Sequence, residues 1–320
     1  MSNPELTVRV EEIIETGPVG PGRVRIFDLR PASGDKLPEF EAGAHIDVAV
    51  RDGLLRQYSL LNAPGETHRY VVAVALDPAT RGGSKHLHEW VETGDALTIS
   101  APRCHFALVE DAPFSVLVAG GIGVTPLWAM AQRLIALGKP FAFYFGARSA
   151  EAAPLLDRIT PALAAANAPL TTVFGGAPLE LAAIVRDAPA GAHFYACGPA
   201  GMLDAYIAAT EAVPSANVHY ERFSGASDEA RDGGFEVELA RTGKTVTVAP
   251  GQTILEALKL AGVNANHSCA EGICGACETP ILEGVADHRD SVLTDAEKAA
   301  GKSMMICCSG ARCARLVLDI

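Results

Sequence analysis

No stretch of this chain is apolar for long enough, without interruption, to cross a bilayer. The longest apolar run, Val116 to Ala131, is broken by Gly120, Gly121, Gly123, Thr125 and Pro126, whereas a spanning helix needs about 20 predominantly apolar residues. The opening Met-Ser-Asn-Pro-Glu lacks the basic segment and apolar core of a secretory signal. Positive charge is scarce as well: 26 Lys and Arg stand against 38 Asp and Glu, a formal net charge of −12. Such a chain repels phosphate backbones and acidic headgroups, so neither nucleic acid nor a membrane is expected as a partner. A soluble partner with a basic patch suits the charge better. Cysteine is sparse, eight in 320 residues, too few for the disulfide framework of a secreted scaffold. No internal repeat is visible. A cytoplasmic monomer of two or three domains is the expectation.

Five of the eight cysteines lie between Cys274 and Cys313. The segment Ser268-Cys269-Ala270-Glu271-Gly272-Ile273-Cys274-Gly275-Ala276-Cys277 is followed, after 29 residues, by Cys307. That is the plant-type [2Fe–2S] spacing, three thiolates on one loop and a fourth from a distant strand. Two irons need four soft ligands, and one tight loop supplies about three of them. Gly272 and Gly275 free the loop to turn backbone N–H groups towards sulfur. A zinc knot would pair two short C-x₂-C hooks, and here there is one. The spacing predicts an electron carrier.

Periodicity divides the rest into regions. From Leu6 to about Ser100 short alternating runs recur: Thr7–Ile14, Val24–Leu29, His45–Val50, Tyr70–Leu76 and Ala96–Ser100. With one helical stretch near Ser84–Val91, they predict an antiparallel barrel or sandwich. After Pro113 the strand-like runs Phe114–Ala119, Phe141–Phe145, Leu170–Phe174, His193–Cys197 and Asn217–Tyr220 alternate with Ala/Leu-rich helical stretches. That order predicts a parallel sheet covered on both faces. Ser224 to Gly234 carries no hydrophobic periodicity and reads as a linker. Beyond it come strands at Phe235–Leu239 and Val246–Val248, then a helix from Thr253 to Ala261 capped by Gly262. The predicted domains are 1–108, 109–223 and 235–320, with the linker at 224–234.

Two glycine motifs sit where strands end and helices begin. Gly120-Gly121-Ile122-Gly123-Val124-Thr125-Pro126 lets the backbone approach a pyrophosphate while helix N–H groups stabilise its charge. Pro126 suits the first helical turn. The spacing is not the G-x-G-x-x-G fingerprint, so a ligand-free strand–helix turn also fits these glycines. Tyr195-Ala196-Cys197-Gly198-Pro199-Ala200-Gly201-Met202 repeats the logic, and both motifs belong at the carboxyl edge of a parallel sheet. In the first region Arg56-Gln57-Tyr58-Ser59 lies on a strand, with Arg56 and Tyr58 on one face. A guanidinium can hold a phosphate through two hydrogen bonds, and a tyrosine ring can pack beside a flavin or its ribityl chain. Arg81-Gly82-Gly83-Ser84 opens the only helical stretch there, a second anion-sized site.

Taken in order, RQYSLLNAP, RGGS, APR, VAGGIGVTP, YACGPAGM, CAEGICGAC with CCS, and DHRD at Asp287–Asp290 resemble the phthalate dioxygenase reductase family over essentially the whole chain. The resemblance implies an antiparallel β-barrel FMN domain, an α/β parallel-sheet nicotinamide domain and a C-terminal β-grasp ferredoxin domain. The domain order favours FMN over FAD. By the same resemblance Arg56 and Ser84 match FMN-phosphate positions, with Gly83 adding backbone. Tyr58 and Ser59 match residues against the ribityl chain and ring, Ser59 near the reactive ring nitrogen. Thr125 lies beside the flavin, Gly121 and Gly123 line the nicotinamide side, and Cys197, followed by Gly198, stands by the hydride-donating carbon. Phe223 matches an aromatic that covers the flavin. Cys269, Cys274, Cys277 and Cys307 match the cluster ligands, Cys307 rather than Cys308 because Ser309 stands two residues later.

The implied reaction is hydride transfer from NADH to FMN, with single electrons then passed through the [2Fe–2S] cluster to a Rieske-type terminal oxygenase. Other readings remain open: delivery to a haem or other monooxygenase, or a redox sensor with a degenerate nicotinamide site. Departures from the family pattern are Cys104, where relatives often have asparagine, and Gly175-Gly176, where NADH-preferring relatives often place an acid. Arg148 and Ser149 stand where a 2′-phosphate could be met, so NADPH stays open as the donor.

Overall fold

Alternation in the first hundred residues resolves into one six-stranded antiparallel sheet. The structure, a computed structural model, describes residues 5–20, 22–51, 54–77, 82–223 and 234–320. The strands are β1 (Glu5–Thr16), β2 (Val24–Pro31), β3 (His45–Arg51), β4 (Leu54–Ser59), β5 (Tyr70–Ala75) and β6 (Ala96–Ser100), with one short helix, α1 (Gly83–Glu89). Their order is β4-β3-β6-β1-β2-β5. Val8, Val10, Phe27, Leu29, Ile46, Val48, Val72, Val74 and Ile99 point inward and close a core. A register shift between Val10 and Glu12 lets the long β1 bend over it. Among the described residues the end strands β4 and β5 share no ladder; an isolated bridge between Leu60 and Val72 joins the segments beside them. The antiparallel sheet was legible from alternation, and its hydrogen-bonded ladder stops short of a closed circle.

The middle region is a five-stranded, wholly parallel sheet in the order β11-β10-β7-β8-β9. Its strands are β7 (Ser115–Gly120), β8 (Phe141–Gly146), β9 (Leu170–Val173), β10 (His193–Cys197) and β11 (Val218–Glu221). The helices are α2 (Val124–Leu137), α3 (Leu156–Ala165), α4 (Leu181–Asp187) and α5 (Ala200–Ala209). All six residues of β7 are buried, as a strand covered on both faces requires. From β7 the chain builds outward through β8 and β9, then returns to place β10 on the other side. The order therefore reverses between β7 and β10, which opens a crevice at their carboxyl ends.

By contact, the chain divides into two units, one running through Phe223 and one from residue 224 onward. Within the first, Val24, Ile26, Leu61, Val71 and Phe106 share one apolar cluster with Leu117, Leu127, Met130, Phe143 and Tyr195. The two sheets are thus welded by a common core. Polar contacts repeat the join: the Val109 N–H donates to the Tyr195 hydroxyl at 2.9 Å, and Gln132 Nε2 donates to the Leu61 carbonyl at 2.8 Å.

The C-terminal unit holds β12 (Phe235–Leu239), β13 (Lys244–Val248), α6 (Ile254–Leu260), β14 (Glu278–Glu283), β15 (Ala286–Asp287), α7 (Asp295–Ala300), β16 (Ser303–Met305), β17 (Gly310–Ala311) and β18 (Arg315–Leu318). Five strands form a mixed sheet, β13-β12-β18-β14-β16, in which β12 and β18 run parallel. Helix α6 starts at Thr253, whose hydroxyl accepts the Glu256 N–H while the Glu256 carboxylate accepts the Thr253 N–H. Its buried face, Ile254, Leu255 and Leu258, packs with Val237, Leu239, Ile306 and Leu316. Gly262, at φ +72°, ends the helix as its position predicts. Of the predicted linker only Gly234 lies among the described residues; the rest, like Arg81, falls outside them.

Candidate redox centres

The register of β4 against β3 sets Tyr58 opposite Ile46 and Arg56 opposite Val48, so both side chains project from one face. Ser59, on the alternate face, is buried opposite His45. Tyr58 packs partly into the antiparallel core, and burial raises its phenol well above the usual range. Gly83, the first residue of α1, lies so close to Arg56 that a Cβ there would meet Arg56 Cγ at 2.6 Å and Nε at 2.8 Å. The arginine stem is thus laid along the backbone of the Gly83-Ser84 turn. Ser84 is buried, and its Oγ accepts the Asp77 N–H at 3.3 Å. Of the three residues expected to hold an anion, Arg56 and Gly83 are in contact and Ser84 follows Gly83 in the helix, while Arg56 Nη1 donates to the Leu55 carbonyl at 2.9 Å.

At the switch point the two glycine loops touch backbone to backbone. A Cβ on Gly123 would collide with the Cys197 carbonyl and lie 2.7 Å from the Gly198 nitrogen. One on Gly198 would come within 3.0 Å of the Gly120 Cα. Gly121 has φ +53°, a conformation costly for residues with a Cβ. Thr125 is buried, with its hydroxyl donating to the Ile122 carbonyl at 3.0 Å. Cys197 ends β10 in register with Ala119 of β7 and Glu221 of β11. Its thiol is wholly buried, and burial followed by the nearby Glu221 charge holds it far above the usual thiol range.

Glu221 is the functional candidate that sequence reading passed over. It lies inside the Tyr220-Glu221-Arg222-Phe223 motif, but nothing in an isolated acidic residue signals that its head is shut away. The residue as a whole is half-buried, yet its Oε2 is shielded from solvent without a hydrogen-bond partner. Burial alone lifts its carboxyl to about 8. Its charge is also felt by Cys104, whose thiol burial raises to about 11. Cys104 donates weakly to the Ala42 carbonyl, at 3.7 Å, and packs against the antiparallel core. Cys104 thus lies near Glu221 as well as against the antiparallel core. Phe223 lies two residues beyond Glu221 and is 37% exposed.

Of the two positions weighed for a 2′-phosphate, Arg148 is exposed and its carbonyl accepts the Gly175 N–H at 3.0 Å. Ser149 Oγ accepts the Ala152 N–H at 3.2 Å. The Pro102-Arg103 motif serves the antiparallel sheet, where Arg103 Nη2 donates to the buried Asp47 carboxylate at 2.7 Å.

In the C-terminal unit the cysteines Cys269, Cys274, Cys277 and Cys307 are all buried, none more than 4% exposed. Cys274 beside Cys269 holds that thiol below its usual range; Cys277 pushes the Cys307 thiol up to about 12, against an opposite pull from Cys308. Backbone N–H groups close in as the glycines predict: Glu271 donates to Cys269 Sγ at 3.3 Å, with Ile273 also directed at that sulfur and Gly272 at Cys307. Gly272, at φ +74°, packs its Cα against Cys308; a Cβ would strike that sulfur. Among the described residues no three His, Cys, Asp or Glu side chains gather about one point. A two-iron cluster asks only two protein thiolates of each iron, a demand that four buried cysteines can meet.

A model of the 2Fe-2S iron-sulfur cluster binding domain matches residues 237–312. Over 99% of its length this chain superposes on 98% of phthalate dioxygenase reductase, with 36% identity and a TM-score of 0.75. The chain belongs to the phthalate dioxygenase reductase family. The phenoxybenzoate dioxygenase subunit beta of Ectopseudomonas oleovorans is 50% identical over 302 residues, 94% of each chain. An intact type IV self-sufficient cytochrome P450 monooxygenase contains a similar portion, 39% identical with a TM-score of 0.86 over 99% of this chain. There the likeness spans 41% of the longer protein.

Proposed function

We propose that this chain carries electrons from NADH through FMN and a [2Fe–2S] cluster to a separate Rieske-type oxygenase component. The observation that carries the reading is the burial of four cysteines at plant-type spacing, Cys269, Cys274, Cys277 and Cys307, on a chain whose two glycine loops meet at the switch point where Gly123 touches Cys197. Flavin supplies the two-electron to one-electron conversion when bound, because a nicotinamide gives its electrons together and the cluster takes them singly. The chain supplies placement. Arg56, Gly83 and Ser84 hold the FMN phosphate; Tyr58 and Ser59 fix the ribityl chain and ring; Thr125 and Phe223 border the ring. Gly121, Gly123 and Gly198 let the nicotinamide approach the wall at Cys197. A neutral thiol there, kept protonated by burial, excludes water without adding charge beside the transferred hydride.

The antiparallel sheet is the FMN barrel and the C-terminal unit a β-grasp ferredoxin, acting as a cytoplasmic monomer with NADH as donor. Anaerobic NADH should bleach flavin and cluster absorbance together, more rapidly than equimolar NADPH. A protein that shows cluster absorbance but no flavin, inert to NADH, would end the proposal. Cys307→Ser should lose the iron and still allow flavin reduction, while Cys308→Ser keeps it; iron analysis decides. A second reading, delivery to a haem monooxygenase, is favoured by the near full-length match within a P450 chain. Reduction assays with either acceptor separate the two.

A further inference from the structure

The DHRD segment belongs to the motifs of the family, but neither the flavin, the nicotinamide nor the ligand set accounts for it. In the structure it lies between the two sources of cluster ligands. The Ser291 N–H donates to the Gly272 carbonyl at 2.9 Å, inside the three-cysteine loop. The Arg289 N–H donates to Ser309 Oγ at 3.2 Å, two residues after Cys307. Asp290 stands between these two ties and is 5% exposed. Its Oδ2 accepts the N–H groups of Val292, at 3.1 Å, and Leu293, at 2.8 Å. Its Oδ1 accepts the Ser309 hydroxyl at 3.4 Å. The Asp290 Cα lies 3.3 Å from where a Gly272 Cβ would be, so the contact is close-packed.

We propose that Asp290 is a positioning residue for the cluster, latching the turn that carries the fourth cysteine to the loop of the first three. The inference rests on the cluster reading above. The physical problem it solves is distance in sequence: 29 residues separate Cys277 from Cys307, and loop-closure entropy favours their separation until metal is bound. The buried carboxylate braces its own segment through the Val292 and Leu293 N–H groups and reaches the Cys307 side through Ser309. The same segment holds the three-cysteine loop through the Ser291 N–H on the Gly272 carbonyl, so both sides are tied before metal is bound, as partners beyond the ligands do at other metal centres. The same carboxylate places negative charge beside Cys308, next to Cys307, which disfavours an added electron. Lys298 Nζ is spent on the Asp290 carbonyl at 2.8 Å, Arg289 pairs with Asp287 at 2.7 Å, and His288 Nδ1 lies 3.7 Å from Oδ1.

The test uses the full-length holoprotein and three variants, Asp290→Asn, Asp290→Ala and Ser309→Ala. Iron and acid-labile sulfide are counted, then loss of cluster absorbance is timed in excess chelator. Asp290→Ala should lose its cluster about tenfold faster than wild type, since a broken buried network of this kind costs about 1.4 kcal/mol or more. Ser309→Ala should lose it a few-fold faster. Asp290→Asn can keep an acceptor for the backbone donors and should outlast Asp290→Ala. It should also reduce more readily, with the reduction equilibrium favoured up to about tenfold, or about 59 mV for one electron. Wild-type loss rates in Asp290→Ala and Ser309→Ala, or an Asp290→Asn that fares no better than Asp290→Ala, would overturn the latch. Where Asp290→Ala fails to fold, Ser309→Ala and the Asp290→Asn redox equilibrium decide. Wild-type protein without iron and sulfide would instead remove the cluster reading itself.

Discussion

Cys197 and Glu221 face each other across neighbouring strands, and burial acts on both in the same direction, towards the protonated form. For Glu221 the consequence can be measured. Its folded carboxyl sits at about 8 against an ordinary 4.5, so between those values the folded chain holds a proton that the unfolded chain has released. The stability associated with this proton is intact below about pH 4.5 and declines as pH rises to about 8. Glu221→Gln should therefore stabilise the first unit at pH 7, by an amount on the order of 2 kcal/mol, and should flatten its stability over that range. Denaturant curves at pH 5 and pH 7.5 check this; an equal gain at both would show that ionisation is not the cause. The same variant should remove an inflection near pH 8 from the rate of flavin reduction by NADH. On the flavin side, Arg56→Ala should weaken FMN retention about ten- to a hundredfold, the loss of a charged hydrogen bond worth roughly 1.5–3 kcal/mol. Equilibrium dialysis measures it, and release of FAD from denatured wild-type protein would overturn the flavin assignment.

At the scale of elements, the contact between the glycine loops carries a sharper consequence than either loop alone. Gly123→Ala forces a methyl group against the Cys197 carbonyl and the Gly198 nitrogen, both backbone atoms that cannot rotate away. The β7–α2 and β10–α5 turns must part, at a cost of about 1–3 kcal/mol. The variant should retain FMN and cluster absorbance but reduce its flavin much more slowly with NADH; an unchanged rate would place the nicotinamide elsewhere. Much of this architecture was legible in the chain. Strand periodicity located β6, β10 and β12 to the residue, because short runs bounded by Gly, Pro or Asp leave little freedom at the ends. Capping chemistry placed α6 and its stop at Gly262. The cysteine spacing pointed to candidate ligands because metal chemistry, unlike packing, demands fixed residue types. What sequence could not show was contact between distant segments: the Gly120–Gly198 approach, the Cys104–Glu221 proximity and the ladder that leaves β4 and β5 unjoined all arise from tertiary placement.

For the whole molecule, charge is the property that reaches furthest. From Phe235 to Ile320 eleven acidic residues outnumber eight basic ones, before any charge from bound thiolates. If an acidic face meets a basic patch on the acceptor, steering governs the encounter rate. Electron delivery to the oxygenase should slow as salt rises, most steeply below 0.15 M, where screening already shortens the reach of charge to about 8 Å. Flavin reduction by NADH should respond much less. Stopped-flow traces of both steps over a salt series decide the matter; delivery that speeds up with salt would point to an apolar contact instead.

The common core of the first unit also says where this gene can be cut. A break between residues 108 and 109 would leave Phe106 and Leu61 on one fragment and Leu117, Met130 and Tyr195 on the other, each with a raw apolar face. Such fragments would be expected to precipitate rather than to act as spare parts. Among the described residues none of that core belongs to the core formed by Phe235, Val237, Leu258 and Leu316, so a splice after Phe223 spares both. Chimeras that exchange the cluster carrier between relatives should therefore be spliced there, and the flavin and nicotinamide halves should be inherited as a single cassette.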